Sequence, residues 1–597
     1  MSDLPPSLIP FFAPNGVAVI GASRDPSRLG YGIMRNLLDP EHGYRGPIYP
    51  VNPKADEILG LRCYPDIAAV PDPVELAVVI IPAGLVPGVI EACGRRGIKA
   101  AIVISGGFRE VGPQGAALEE AMVAAGRRYG MRIMGPNGIG VIDTHTPLNT
   151  TFVPGMPPAG HIGFVSQSGA LCGSIIDWTI GQRIGFSRLL SVGNEADINE
   201  SDLLPALAAD PNTRVILLYL EDVKDGPRFV AALRAATAVK PVLVLKMGRT
   251  ASGQAAAASH TGALAGAHEA FRAACRQTGA IEVERVQSLF NAGIAFAYQP
   301  LPRGNRIAIL TNAGGPATVA ADAFEAAGLQ MARPGPATQA LLRTFLHPDA
   351  QVGGPVDMLG GADETHYLRS LSALLADPAI DGVLTILVPQ ALIKPPAVVE
   401  AWRQAIAGQP QPAKPVLACL MGEASVREAR TAAHAAEIPP YSFPEEAVEA
   451  FSLLWRRAQW LGKSRQPAAR HTVAPAEQPA GAATRPQSLE RAREEAHRAI
   501  EAALAAGRRQ LDAVEARPLL AAYSIATAAE ALATDADEAA ALAAQIGFPV
   551  AMKLISPDIL HKTEAGGVIL NVRSAQEARA AFTTLVERGR AARPAAR

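Results

Sequence analysis

Val17-Ala-Val-Ile20-Gly21-Ala22-Ser23-Arg-Asp-Pro-Ser-Arg-Leu-Gly30-Tyr-Gly32 is the stretch on which the fold turns. Four apolar residues without alternation read as a strand buried on both faces, as in a parallel sheet. The glycines then predict a tight turn, and a helix follows from about Ile33. Further apolar runs at Ile48–Val51, Leu76–Ile81, Ala100–Ile104 and Met131–Met134 read as more strands. Helical stretches at Val86–Arg96 and Gly115–Tyr129 separate the later ones. Strands alternating with helices predict a doubly wound α/β sheet over residues 8–145.

The turn Gly21-Ala22-Ser23 is a candidate phosphate site. Glycines let the backbone approach an anion, and a helix N-terminus offers free N–H groups and partial positive charge. A dinucleotide site would need Gly-x-Gly-x-x-Gly and an acid at the end of the second strand. Both are missing, and Asn52-Pro53-Lys54 stands where the acid would be. Lys54 would suit the 3′-phosphate of coenzyme A, or be a surface lysine in a turn. Pro82, Ser105-Gly106 and Asn137 lie at later strand ends, where open α/β sheets bind ligands. Each alone is readable as an ordinary turn; their repetition favours a ligand.

The remaining 450 or so residues divide in the same way, at about 100–200 residues per domain. Residues 146–300 contain the run Ile162–Val165 and then Ser166-Gln-Ser168-Gly169-Ala170, a helix start with Ser168 as N-cap. Val215–Leu220 is a buried strand with Glu221-Asp222 at its end, and Pro241–Leu245 is another. Ala257-Ala-Ser-His260-Thr-Gly-Ala-Leu-Ala-Gly266 follows. His260 is by itself a polar loop histidine. With a helix end to hold a phosphate and a carboxylate such as Glu221 to take its second ring N–H, it becomes a candidate phosphoryl nucleophile. Glu221 and Asp222 could otherwise be solvated turn acids.

Residues 303–460 repeat the plan. Arg306–Leu310 leads into Thr311-Asn312-Ala-Gly314-Gly315-Pro316, with Pro316 suited to the first turn of a helix. Two flavodoxin-like domains in tandem are expected, each offering a helix N-terminus. Gly354-Pro-Val-Asp357-Met is a loop to which the sequence assigns no role. Residues 463–487, rich in Pro, Ala, Arg and Gln, read as a linker. Residues 488–597 start with a charged helix and contain Lys553 on a strand, then His561. Lys553 resembles a nucleotide-phosphate lysine or is an edge-strand lysine. His561 fits a phosphate relay or a loop position.

Composition narrows the classes. Among 597 residues, 49% are hydrophobic and 19% charged, and the net charge is -1, so ample core is available and nucleic acid is not an expected partner. Five scattered cysteines form no CxxC pair, which argues against a disulfide framework or a cysteine zinc site. The N-terminus lacks a signal-peptide pattern, and no apolar run reaches the ~20 residues that span a bilayer. A cytoplasmic location is expected, with no membrane partner.

In order, Val19-Ile-Gly-Ala-Ser23, Val51-Asn-Pro-Lys54, Ser105-Gly-Gly-Phe108, Gly135-Pro-Asn-Gly-Ile-Gly140, Ser166-Gln-Ser-Gly-Ala170, Ser259-His-Thr-Gly-Ala263, Asn312-Ala-Gly-Gly315 and His561-Lys-Thr-Glu-Ala-Gly-Gly567 run through the chain. This series resembles the NDP-forming acyl-CoA synthetases, the family of ADP-forming acetate–CoA ligase, related to succinyl-CoA synthetase. The resemblance implies a CoA-binding Rossmann-like domain, two ligase domains and an ATP-grasp domain. It also implies interconversion of acyl-CoA, phosphate and ADP with a carboxylic acid, CoA and ATP. His260 matches the phosphorylated histidine, Glu221 its carboxylate partner and His561 a second, relaying histidine. Ser168-Gly169 and Gly314-Gly315 match the two phosphate-facing helix ends, and Lys553 an ATP-grasp lysine.

The expected cofactors are CoA, ATP/ADP and Mg2+, although no metal ligands are identifiable in the sequence. The ATP-grasp region resembles a first subdomain only. The expectation is that a separate subunit supplies the rest, that the chain is truncated, or that ATP formation is lost. A homodimer would also suit the family. The competing readings are a non-catalytic or regulatory CoA-binding protein and an NAD-dependent dehydrogenase. The missing fingerprint and ribose acid speak against the second.

Overall fold

The computed structural model describes residues 5–250, 252–253, 268–391, 393–465, 486–505, 507–508, 511, 513–522, 525–556, 559, 563 and 565–594. The chain divides into two compact units, Met1–Pro467 and Ala468–Arg597.

The first sheet begins with β1 (Val17–Ile20) and β2 (Ile48–Val51), followed by a small hairpin of β3 (Glu57–Ile58) and β4 (Leu61–Arg62). It continues with β5 (Leu76–Val79), β6 (Ala100–Val103) and β7 (Arg132–Met134). Five strands run parallel in the order β2-β1-β5-β6-β7, with Val17 opposite both Ile48 and Leu76. Side chains alternate across a strand. Accordingly Val17 and Val19 enter one core while Ala18 and Ile20 enter another. Burial on both faces is why β1 reads as an unbroken apolar run.

The second sheet comprises β8 (Gly140–Asp143), β9 (Leu148–Asn149), β10 (Ala159–Ser166), β11 (Phe186–Ser191), β12 (Val215–Leu220), β13 (Val242–Lys246) and β14 (Ile281–Val283). Its order is β14-β13-β12-β10-β11-β8-β9. The first five are parallel, and β8 joins β11 antiparallel, with Gly140 opposite Ser191. Sheet membership therefore changes at Gly140. Arg188 on β11 is buried, paired with Asp143 at 2.8 Å, and covers the Phe12 ring at 4.1 Å. This ties the N-terminal helix Ile9–Phe12 to the second sheet.

The third sheet holds β15 (Arg306–Thr311), β16 (Gln330–Met331), β17 (Val356–Asp357), β18 (Gly382–Leu387), β19 (Val416–Leu420) and β20 (Pro440–Tyr441). The order is β16-β15-β18-β19-β20, and β17 adds to the far end of β15, where Thr311 faces Asp357. The two flavodoxin-like sheets are cemented by the helix Val286–Tyr298, buried from Ser288 to Ala297. An apolar belt around the whole helix fits a position between two layers. Phe164, Leu217 and Phe290 share one cluster with Ile309 and Leu384 of the third sheet and with Phe451 of the helix Pro444–Arg465. Their strand neighbours Val165, Ile216 and Leu218 share another with Val19 and Val78 of the first.

In the second unit, β21 (Val550–Lys553) pairs antiparallel with β22 (Val568–Val572). The helices Ala536–Ile546 and Ala575–Ala592 pack on this pair through Ala540, Ala543, Val572, Ala578 and Ala581. No helix among the described residues is long and apolar enough to cross a membrane.

Candidate active site

The expected CoA-contacting residues all lie in loops leaving the carboxyl ends of β1, β2, β5, β6 and β7. Gly21 has φ +97, a left-handed conformation that glycine adopts without penalty. A Cβ on Gly30 would lie 2.1 Å from the Gly21 carbonyl oxygen, so the helix Leu29–Leu37 starts directly against the turn. The Ala22 carbonyl accepts from Asn52 Nδ2 at 2.8 Å, which fixes the loop carrying the exposed Lys54. Ser23 Oγ accepts from the Asp25 N–H at 3.0 Å. Ser105 is buried, and its hydroxyl donates to the Ile81 carbonyl at 2.6 Å and accepts from the Ile81 N–H at 3.0 Å. It is a clasp between two strand ends, with Pro82 exposed beside it. A Cβ on Gly106 would meet Asn137 Oδ1 at 3.1 Å, so the fourth and fifth of these loops touch.

The helix ends at Ser168-Gly169 and Gly314-Gly315 are built alike. Ser166 Oγ donates to the Ser168 carbonyl at 2.9 Å and accepts from the Ser168 N–H at 3.2 Å. Thr311 Oγ1 does the same with Ala313, at 3.0 and 3.1 Å. Each hydroxyl folds the chain into a tight bend just before a helix, Gly169–Gln182 or Gly314–Ala326. The amide between hydroxyl and helix then clamps the next strand. Gln167 Oε1 accepts from the N–H groups of Glu221 and Asp222 at 2.5 and 3.0 Å, and its Nε2 donates to the Asp222 carbonyl at 2.9 Å. Asn312 makes the equivalent pair with the Val388 N–H and carbonyl at 2.9 and 2.8 Å.

The surroundings of the two ends differ. Ser168 caps its helix by accepting from the Leu171 N–H at 3.3 Å, and a Cβ on Gly169 would meet Ile139 Cγ2 at 3.2 Å. The first helix end thus abuts the last loop of the CoA-type sheet. Ala313 supplies no capping side chain. Instead Asp357 Oδ2 stands 3.2 Å from where a Cβ on Gly314 would be, while Asp357 Oδ1 accepts from the Leu359 N–H at 3.0 Å. A carboxylate at a helix N-terminus is electrostatically favoured. The loop without a sequence-assigned role therefore serves this helix.

Glu221 follows β12, and the neighbouring β13 ends at Lys246. Lys246 is buried, and its Nζ donates to the carbonyls of Glu221 and Met247 at 2.8 and 2.6 Å. Burial draws its pKa below the ordinary lysine range, against the charges of Asp222 and Glu221. His260 and His561 lie outside the described residues. Lys553 is exposed on β21 and lines a cleft of about 240 Å³ with Leu532, Leu542, Ile546 and Phe582. Among the described residues no group of three or more His, Cys, Asp or Glu could hold a metal ion, so none is assigned to Mg2+.

The sequence reading missed Gln167 and Asn312 as clamps, and it missed Glu195 entirely. Glu195 is buried and accepts from Gln167 Nε2 at 2.9 Å. Its signal was an acid in Ser191-Val-Gly-Asn-Glu195, which carries no hint of burial.

Comparison with known proteins gives four family matches in this order along the chain. They are a CoA binding domain at 15–144, a succinyl-CoA ligase like flavodoxin domain at 159–296, a ligase-CoA domain at 307–465 and an ATP-grasp domain at 502–597. ADP-forming acetate–CoA ligase I of Archaeoglobus fulgidus is 40% identical over 561 residues, covering 94% of this chain and 77% of that protein. The chain belongs to the ADP-forming acetate–CoA ligase family. Within that family, subunit alpha of ADP-forming acetate–CoA ligase II from Pyrococcus furiosus is 39% identical over 76% of this chain and 98% of its own length. Among solved structures, the dinucleotide forming acetyl-coenzyme A synthetase 1 of Ca. Korarchaeum cryptofilum, in complex with phosphate and ADP, has a TM-score of 0.72 and 38% identity. It covers 77% of this chain and 99% of its own.

Proposed function

We propose that the chain is an acid–thiol ligase that interconverts acyl-CoA, phosphate and ADP with carboxylic acid, CoA and ATP. The observation that carries this reading is the strand end shared by Glu221 and the segment leading to His260. β12 and β13 are parallel neighbours, Lys246 at the end of β13 bonds the Glu221 carbonyl, and the chain then runs on to His260. The family relationship supports the same assignment.

In the proposed sequence, a phosphate oxygen attacks the thioester carbonyl and CoA leaves as the thiol, giving acyl phosphate. A His260 ring nitrogen attacks the phosphorus, and the carboxylate leaves. Glu221 accepts the other ring N–H, which fixes the tautomer and raises the basicity of the attacking nitrogen. The helix ends at Ser168-Gly169 and Gly314-Gly315 stabilise the phosphoryl oxygens. The turn Gly21-Ala22-Ser23, with Lys54, Pro82, Ser105, Gly106 and Asn137, holds CoA. His561 relays the phosphoryl group towards ADP beside Lys553. Mg2+, where bound, would neutralise nucleotide phosphate charge. The five cysteines are free and buried, which supports a reducing, cytoplasmic setting.

Incubation with acetyl-CoA and radiolabelled phosphate is expected to yield acid-labile, base-stable label on the protein, absent from His260→Asn. Equal labelling of His260→Asn would sink the assignment. Discharge of the label by ADP tests the nucleotide half. Light scattering distinguishes a homodimer from a chain that needs a separate subunit.

A further inference from the structure

Between the two halves of this site lies a polar cluster to which the proposed chemistry gives no role. Gly193-Asn194-Glu195-Ala196 leaves β11 and runs along Gly135–Gly138, the last strand-end loop of the CoA-type sheet. The Asn194 N–H donates to the Pro136 carbonyl at 2.8 Å, and the Ala196 N–H donates to the Gly135 carbonyl at 3.0 Å. A Cβ on Gly193 would lie 2.2 Å from the Pro136 oxygen, so the two backbones are in direct contact. The Asn194 side chain is held by the same domain. Its Nδ2 donates to Glu110 Oε2 at 2.7 Å and to Glu119 Oε2 at 3.0 Å, and its Oδ1 accepts from Asn137 Nδ2 at 3.3 Å.

Glu195 comes next, with φ +52, a left-handed conformation that a side chain disfavours. Such strain persists where the surroundings over-determine it, and it collects at functional sites. Here the turn aims a carboxyl group inward. Glu195 is 5% exposed and Glu200 1% exposed. Glu195 Oε2 accepts from Gln167, Glu200 Oε1 accepts from Ser201 Oγ, and the other oxygen of each acid has no donor from a neighbouring group. Two facing carboxyls with these orphaned oxygens are satisfied by one shared proton. Burial, and then the charge of Glu200, raise Glu195 well above the carboxylate range, while Lys224 pulls the other way. Lys224 donates to the Asn194 and Glu195 carbonyls at 2.5 and 2.7 Å, and Arg109, Glu119 and Asp222 also face this cluster.

We propose that Glu195 is a positioning residue: as the buried acceptor for Gln167, it sets the Glu221–Asp222 strand end in register with the CoA-binding loop at Gly135–Gly138. Gln167 spends its remaining hydrogen bonds on the backbone of Glu221 and Asp222, so a shift of Glu195 reaches Glu221 through one side chain. The route gives CoA-domain geometry a direct hold on the carboxylate proposed to orient His260. The inference rests on that reading of Glu221, and it is tested by two independent measurements.

The first follows amide hydrogen exchange at Glu221 and Asp222 in the full-length protein. Glu195→Ala is expected to speed it about tenfold, and Glu195→Gln to leave it near wild type, because the amide oxygen still accepts from Gln167 and its NH2 can donate to Glu200. Protection of Ile216–Leu218 reports that the sheet is intact. The second follows phosphoenzyme formation from acetyl-CoA and phosphate against pH. Glu195→Ala should slow labelling by about a hundredfold, the scale of a 1 Å misplacement. Glu195→Gln should keep the rate at neutral pH. A wild-type rate that falls as Glu195 loses its proton should become flat in Glu195→Gln, which a merely structural role would not produce. Unchanged exchange in Glu195→Ala overturns the proposal, as does a Glu195→Gln protein as impaired as Glu195→Ala. If the wild type takes no label, the ligase reading fails, and the exchange experiment still decides the role of Glu195.

Discussion

Replacing Gly30 by alanine probes the turn on which the first sheet depends. The new methyl carbon would lie 2.1 Å from the Gly21 carbonyl oxygen, 3.1 Å from the Gly21 carbonyl carbon and 3.3 Å from Ala22 Cα. A comfortable carbon–oxygen contact is about 3.3 Å, so the overlap is roughly 1 Å. All three obstacles are backbone, and no rotamer change relieves them. The helix Leu29–Leu37 must therefore retreat from the turn, at a cost of about 1–3 kcal/mol for overpacking. Retreat would also withdraw the helix N-terminus from the CoA phosphate proposed to bind there. Affinity for CoA should fall at least tenfold, or about 1.4 kcal/mol, in calorimetry. Gly88→Ala is the control, because a Cβ there meets nothing within 4 Å on the helix Val86–Arg96. It should bind CoA normally and gain up to about 1 kcal/mol of stability. A Gly30→Ala protein with a lowered melting point and unchanged CoA affinity would show that this helix end is not the anion site. No change in either quantity would refute the close approach itself.

Two further outcomes follow from other parts of the molecule. Asp357→Asn removes a negative charge beside Gly314, so the KM for phosphate in the labelling reaction should fall severalfold, about 1 kcal/mol; a rise would mean that Asp357 helps to bind the substrate. His434, on the helix Arg427–Ala435, is lowered to about 4 by burial and by the charges of Arg430 and Arg183. The unfolded chain then takes up a proton near pH 6.5 that the fold refuses until about pH 4. Stability is therefore lost as pH falls through that window, by at most about 3 kcal/mol and less for partial exposure. His434→Gln should flatten urea midpoints between pH 7 and 5, and an unchanged slope would contradict the assignment.

Local patterns carried much of this architecture. β1, its glycine turn and the following helix are adjacent in sequence, and burial on both faces leaves a run of apolar residues that no other element imitates. The two small-residue helix starts were legible for the same reason. What stayed hidden depends on partners far along the chain. β8 looks like the tail of the first domain until β11, more than 40 residues later, pairs with it. Gln167 looks like a polar residue beside an N-cap, and its role appears only when Glu195 and the end of β12 are beside it. Asp357 acquires meaning when β17 adds to the far end of β15 and brings the carboxylate to Gly314. Burial of an acid leaves no mark in a single sequence, and so Glu195 was unread.

The alternation of second-sheet side chains between two cores also determines how the molecule should respond as a material. Phe164 and Leu217 belong to the core shared with the third sheet, and Val165 and Leu218 to the core shared with the first. Cutting out the flavodoxin segment at 159–296 would strip both of its faces at once, so that excised piece should precipitate rather than fold. The intact three-sheet body should instead melt as one transition. CoA at a hundredfold excess over its Kd would then lend its ~2.7 kcal/mol of linkage to the third sheet as fully as to the first.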